Sequence, residues 1–213
     1  MNSEEKIVSE LLDDLENNRL TLPTLPEVAL RIRDEIESDN VNASRVADIV
    51  TKDIALSAKL LQIANSPLYR SRNTIENIQS AIARLGFTQI RNLVSSLVMK
   101  QMFQATNDVL DQKLRESWNH SVQVAAIASV LATQHKNLQR DQAMLAGLVH
   151  DIGKLPILVH AESTPDLFDD PLALDRILAK LHPIIGQKIL EKWQFPKFII
   201  DCASNHEDGA FEA

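Results

Sequence analysis

The stretch Asp53-Ile54-Ala55-Leu56-Ser57-Ala58-Lys59-Leu60-Leu61-Gln62-Ile63-Ala64-Asn65-Ser66 reads as one short helix with both ends marked. Leu56, Leu60 and Ile63 recur at the 3.6-residue helical period. Asp53 can accept from an N–H of the first turn, where backbone donors lack partners. Asn65-Ser66-Pro67 stops the helix, because a residue before proline avoids helical backbone angles. The same grammar extends outward. Upstream, residues 4–17 place Ile7, Val8, Leu11, Leu12 and Leu15 on one stripe. A proline-punctuated entry, Thr21 to Pro26, leads to a helix with Val28, Ile32 and Ile36 four apart. Asn42 then caps a short helix bearing Val46, Ile49 and Val50. Downstream, Thr74 opens a helix with Ile75, Ile78, Ile82 and Leu85 facing inward. Gly86 takes a left-handed C-terminal position. Thr88 caps a longer helix through Ile90, Leu93, Val94, Leu97 and Val98.

The second half continues in kind. Helices are expected near 115–134, 139–151, 172–181, 183–193 and 196–206, with a polar loop around 161–171. Pro183 and Pro196 suit first-turn positions, where a missing N–H is harmless. No convincing period-2 run occurs. The expected fold class is therefore all-α, a two-lobed helical bundle. A leader helix covers 1–20, an N-terminal lobe 21–108 and a second lobe 109–213, with the seam at Ala105–Asp111.

Composition agrees. The 213 residues can bury roughly 70% of their unfolded surface. Hydrophobic residues make up 45%, aromatics only 4%, and there are five glycines, a mixture that favours packed helices over sheets. The net charge of -7 repels phosphate backbones and disfavours general nucleic-acid binding, though a local basic patch can hold one phosphate ligand. Cys202 is the single cysteine, so no intramolecular disulfide forms. The opening segment is neither signal peptide nor membrane span, which makes the cytoplasm the expected compartment.

Histidine is distributed unevenly. His120, His135, His150, His160, His182 and His206 all lie in the second half. Imidazole is the commonest metal-ligand side chain. The sharpest motif is Gly147-Leu148-Val149-His150-Asp151-Ile152-Gly153-Lys154, an apolar helix ending in His-Asp. Imidazole with carboxylate suits Mn, Fe, Zn or Mg better than copper. An isolated His-Asp pair is more often a buried His and a helix-end Asp making ordinary hydrogen bonds. Here three further histidines stand at helix ends or beside them: His120 in Trp118-Asn119-His120-Ser121, His182 in Leu181-His182-Pro183, and His206 in Asn205-His206-Glu207. The expected divalent-metal ligands are therefore His120, His150, Asp151, His182 and His206, converging in one cleft with His206 at its rim. His135 and His160 read as surface or loop residues. A metal would make hydroxide at neutral pH, so the chemistry would be hydrolytic. Asp151 and Lys154 are the candidate catalytic residues. Lys154 can balance charge on a phosphate, or simply sit solvated at a helix C-terminus, where the dipole favours it. Glu207 reads as a base, as a partner that supports a metal ligand from behind, or as an exposed surface residue. No Ser-His-Asp spacing, Walker loop or Cys-pair motif is present.

Leu22-Pro23-Thr24-Leu25-Pro26, the Asp53–Ser66 helix and Ala81-Ile82-Ala83-Arg84-Leu85-Gly86 together resemble the HDOD family of the HD superfamily, in the family's order, over about residues 21–207. Ile54 stands where family members usually have proline. The resemblance implies an HD-like second lobe. It also puts His120, His150, Asp151, His182 and His206 where the related HD-GYP phosphodiesterases, which hydrolyse cyclic dinucleotides, place ligands. Asn205 stands where a paired histidine is expected, the Gly-Tyr-Pro signature is absent, and the last Asp ligand is missing. HDOD proteins resemble non-catalytic output or scaffold domains more than enzymes. Two readings follow. The favoured one is a regulatory output module that binds a signalling protein partner or small phosphate-containing ligand with little or no catalysis. The alternative is a metal-dependent phosphohydrolase acting on a phosphate ester or cyclic nucleotide.

Overall fold

In the computed structural model, residues 3–24, 26–66, 69, 74–103, 105, 108–162 and 170–209 are described. Leu25, Pro67, most of the expected loop at 161–171, part of the expected seam at 105–111 and the tail beyond Gly209 lie outside them. The described residues form helices and no strand: α1 (Ser3–Glu16), α2 (Glu27–Ile36), α3 (Ala43–Thr51), α4 (Ile54–Ala64), α5 (Ile78–Leu85), α6 (Phe87–Met102), α7 (Asp108–Ala132), α8 (Arg140–Val149), α9 (Lys154–Glu162), α10 (Pro171–Lys192) and α11 (Lys197–Asn205). The chain divides into two compact units, Leu25–Gln101 and Met1–Thr24 with Met102–Ala213. The division falls several residues before the expected 108/109 seam, and the leader helix goes with the second unit.

In the Leu25–Gln101 unit the caps explain the helix starts. Asp53 Oδ1 accepts from Leu56 N at 2.9 Å and Asn42 Oδ1 from Ser44 N at 2.7 Å. Leu56, Leu60, Ile78 and Ile82 are buried together with Ile32, Val46, Val50, Ile90 and Val94, and Leu85 packs on them. Ile63 departs from the expected core. It is half-buried, and Ala64 takes the next buried place on the 56–60–64 row. Asn65 holds the turn after α4. Its Nδ2 donates to Leu61 O at 3.0 Å and Ile75 O at 2.8 Å, and its Oδ1 accepts from Ile75 N at 2.8 Å. That clamp keeps Ile75 buried but outside a helix. α5 starts later than Thr74 because Asn77 is the cap, its Oδ1 accepting from Ser80 N at 2.8 Å. Gly86, at φ +81°, closes α5 through its N–H to Ile82 O. Its carbonyl then accepts from Ile90 N, so α6 begins at Phe87 rather than after Thr88.

In the second unit α10 is the spine, with Leu174, Ile177, Leu181, Ile185 and Ile189 all fully buried. α1 packs on it, and Trp193 Nε1 donates to Pro23 O at 3.0 Å, tying residues 3–24 to this unit. α7 and α8 approach closely at Gly147, where a Cβ would stand 2.8 Å from Ala125 Cα. Two expectations fail here. Pro183 does not start a helix; it lies inside α10, which runs unbroken from Pro171 to Lys192. Burial of α10 along its length outweighs the one backbone hydrogen bond that proline removes. The helix α9 was not expected at all. Leu155, Pro156, Ile157, Leu158 and Ala161 are buried, so no amphipathic stripe marks it. The stretch Arg140–Glu162 reaches the length and hydropathy of a membrane span, but 72% of its apolar window is buried in the fold.

Candidate metal centre

α8 ends so that His150 is its C-terminal capping residue, and Asp151–Gly153 turns the chain into α9. Gly153 lets this turn touch α10. A Cβ there would lie 2.0 Å from His182 O and 2.5 Å from Gly186 N. That contact sets fully buried His182 beside Asp151. α7 contributes His120, and His206 caps the end of α11.

The four imidazoles surround one carboxylate. Asp151, 1% exposed, directs Oδ1 to His182 Nε2 at 3.2 Å and His206 Nε2 at 3.5 Å. Its Oδ2 faces His150 Nε2 at 3.4 Å and His120 Nε2 at 3.6 Å. Potential ligand atoms of His120, His150 and Asp151 lie within 4.8 Å of one another, as do those of Asp151, His182 and His206.

Backbone carbonyls aim three of the rings. His150 Nδ1 meets Gly147 O at 2.8 Å, His182 Nδ1 meets Leu178 O at 2.7 Å and His206 Nδ1 meets Ala203 O at 3.0 Å. A carbonyl only accepts, so each Nδ1 carries a proton and each neutral ring presents a bare Nε2 lone pair to the cluster. His182 Nε2 and His206 Nε2 are 2.9 Å apart. Two lone pairs at that distance repel unless a proton or a metal ion lies among them. Asp151 Oδ1 is buried with no hydrogen-bond partner among the described residues. An orphaned buried carboxylate oxygen facing two oriented lone pairs fits a divalent cation.

The electrostatics of the metal-free cluster agree. Burial would raise the Asp151 carboxyl, but the contacts with His182 and His206, the charge of His150 and the Lys154 ammonium outweigh it and hold it well below the usual carboxylate range. Burial pushes the His150 imidazole down against the opposing pull of Asp151, favouring the neutral ligand form. At His206 burial also disfavours charge, but Asp151 overcomes it and raises the imidazole. A proton on His206 can thus occupy the space between the facing rings when no metal does.

His120, His150, Asp151, His182 and His206 therefore meet in one place. His120, whose side chain is 54% exposed, is the most open member, and His206, an exposed residue with a side chain 21% exposed, stands at the rim with it, while His150, Asp151 and His182 are buried. Lys154 Nζ sits on Asp151 Oδ2 at 2.5 Å instead of standing solvated. Glu207, 59% exposed, brings Oε1 to 3.8 Å from His182 Nε2 and 3.7 Å from His206 Nε2. Asn205 turns away, its Nδ2 donating to Asp201 O at 2.8 Å. His135 is exposed and apart, whereas His160 is half-buried within α9 rather than in a loop. Lys113 and Ser117 escaped notice in the sequence. With His120 they line a cleft of about 350 Å³ that reaches Lys154, His182 and Glu207. Their spacing of three and four residues on one face of α7 is the signal that could have found them. A second, more apolar cleft of about 510 Å³ reaches His150 and His206 from between α7, α8 and α11.

A crystal structure from Shewanella amazonensis, whose name places it among the metal-dependent phosphohydrolases without establishing that activity, is 34% identical. The match covers 100% of this chain and 78% of that one, at a TM-score of 0.88. An HDOD domain protein of unknown function from Geobacter sulfurreducens is 27% identical over 91% of this chain and 67% of its own, at a TM-score of 0.70. The cyclic di-GMP phosphodiesterase CdgJ of Vibrio cholerae is 31% identical over 57% of this chain but only 27% of its own length. An uncharacterized Treponema pallidum protein is 24% identical over 95% of this chain and 40% of its own. The chain thus spans well under half the length of these curated relatives. The HDOD domain model matches residues 22–209, and the chain belongs to the HDOD family.

Proposed function

We propose that the second unit is a divalent-metal centre of the HD phosphohydrolase type that acts on a small phosphate ester. One observation carries this reading. Three imidazoles, each with its Nδ1 fixed by a carbonyl, turn their Nε2 atoms toward a buried carboxylate whose Oδ1 makes no aligned hydrogen bond among the described residues. An ordinary structural cluster would place donors there, because buried acceptors are paired. His120, His150, Asp151, His182 and His206 would hold the metal, and an imidazole-rich set with one carboxylate favours Zn, Fe or Mn over Mg. A bound divalent ion would supply a water of lowered pKa and polarise a phosphoryl oxygen.

The chain's own groups have separable tasks. Asp151 bridges the two halves of the cluster. Lys154, released from Oδ2, can pair with a phosphate oxygen at the mouth of the α7–α10 cleft. Glu207 is near enough to hold a proton at the cluster's edge and exposed enough to exchange it with water. The cleft volume suits a ligand of modest size.

A regulatory role without turnover is the second reading. The observation favouring it is the apolar cleft that ends on His150 and His206, where a bound small molecule or partner segment would touch the cluster. The two readings separate in one assay. The metal-loaded protein is offered phosphomonoesters and cyclic dinucleotides with added Mn or Fe, beside Asp151→Ala. Turnover abolished in the variant supports the hydrolase. Metal binding without turnover supports the regulatory module. Turnover that survives Asp151→Ala excludes this cluster as its source.

A further inference from the structure

The two halves of the cluster are not equivalent. On the Oδ1 side, His182 and His206 both have their Nδ1 protons committed to carbonyls, and among the described residues the oxygen makes no aligned hydrogen bond, only ion-pair contacts with the two Nε2 atoms. On the Oδ2 side, only His150 is aimed in this way. Its companion His120 has no such carbonyl among the described residues, and its side chain is 54% exposed. That same Oδ2 is already taken by the Lys154 ammonium at 2.5 Å.

Resting on the metal reading above, we infer that Lys154 is a placeholder cation. The first divalent ion enters the Asp151–His182–His206 side, and the His120–His150 side fills only when Lys154 leaves Asp151 Oδ2. The physical case is the difference in what each side must give up. A ligand already oriented and desolvated loses little freedom on binding, and support from behind a ligand commonly changes metal affinity by about 10–100-fold. The Oδ1 side has that support on both rings. The Oδ2 side must also break a short charge-assisted hydrogen bond, and such bonds are among the stronger ones. It must then accept a divalent ion near a displaced ammonium. Like charges a few ångströms apart in a partly buried site repel by more than the energy of a tenfold change in affinity.

Lys154 is thus a positioning residue that sets metal stoichiometry, and activity is not needed to test it. Metal-stripped wild-type protein, Lys154→Met and Lys154→Arg are titrated with Zn²⁺ alone by calorimetry, with circular dichroism confirming the helical fold of each. Wild type is expected to show one tight equivalent and a second at least about tenfold weaker. In Lys154→Met the second equivalent should tighten by about tenfold or more and approach the first. Lys154→Arg, which keeps the cation, should retain the wild-type gap. A parallel Mn²⁺ titration followed by electron paramagnetic resonance should show isolated ions at one equivalent in wild type. Coupled pairs should appear at lower added metal in Lys154→Met. Two equally tight sites in wild type, or a second site in Lys154→Met as weak as before, overturns the inference while leaving the metal centre intact. Binding of no metal by any of the three sinks the metal reading and this inference with it.

Discussion

Gly153→Ala is the smallest change that should dismantle the centre. A Cβ at residue 153 would stand 2.0 Å from His182 O and 2.5 Å from Gly186 N. Both are backbone atoms of α10, so no flexible side chain can yield. Relief requires α10 to move away from the Asp151–Gly153 turn, and α10 carries five fully buried apolar residues that would have to shift with it. Overpacking at a well-packed site costs about 1–3 kcal/mol and occasionally more, and a backbone clash this close belongs at or above the top of that range, about 3 kcal/mol. For a chain of this size each kcal/mol lowers Tm by about 2–4 °C, which gives a fall of roughly 6–12 °C. His182 moves with the helix, so zinc affinity should fall as well. Gly186→Ala is the internal control. Its Cβ would make ordinary contacts at 3.5 Å or more, and within a helix alanine is about 1 kcal/mol better than glycine, so that variant should be neutral to stabilising. Thermal unfolding and zinc calorimetry on the two variants check both sides. A Gly153→Ala protein within about 0.5 kcal/mol of wild type and with unchanged zinc affinity would refute the packing account.

Other outcomes follow from individual contacts. Leu60→Ala should cost about 2–5 kcal/mol in urea unfolding, since Leu60 is fully buried, whereas Ile54→Ala, at an 84% exposed position, should stay within about 0.5 kcal/mol. Asn65→Ala removes the clamp on both backbone groups of Ile75 and should cost about 1–3 kcal/mol by the same measurement. In metal-free protein the folded-state Asp151 carboxyl lies below its unfolded value. Its stabilisation is therefore present above about pH 4 and lost as pH falls from there, and Asp151→Asn should flatten that acid limb of the stability curve. Zinc at about 100 times its Kd should raise stability by about 2.7 kcal/mol in wild type, and chelation should reverse the gain.

The helical class was legible because apolar period and capping residues agree along most of the chain. Asp53, Asn42 and Gly86 do what their types suggest. The errors share a cause. Thr74 and Thr88 are plausible caps, but Asn77 and Gly86 won the role through nearby backbone geometry. α9 is buried on nearly every side, so it offered no stripe to read. Pro183 looked like a beginning because a local rule knows nothing of the burial that carries α10 through it. The leader helix went to the second unit because its docking on α10 is a long-range contact.

In the centre, residue types were readable and roles were not. The five ligand candidates declared themselves as histidines and an aspartate gathered in the second half. The helix-end expectation holds for His150, Asp151 and His206, whereas His120 and His182 lie in the middle of α7 and α10, because those helices run on past them. Three further facts needed coordinates: which nitrogen of His150, His182 and His206 faces the cluster, that the two oxygens of Asp151 face different pairs, and that Lys154 occupies one of them. The carbonyl partners of His150, His182 and His206 lie three or four residues back along their own helices, a local relation that a sequence permits without announcing.

The most direct test is the metal content of the protein itself. Wild type and Asp151→Ala are purified without chelator, checked for equal helicity, and measured by elemental analysis. The account predicts at least about one divalent ion of the zinc, iron or manganese group per wild-type chain and close to none in the variant, because Asp151 is shared by both halves of the cluster. A wild-type protein that holds no metal after exposure to these ions, or an Asp151→Ala protein that holds as much as wild type, would contradict it.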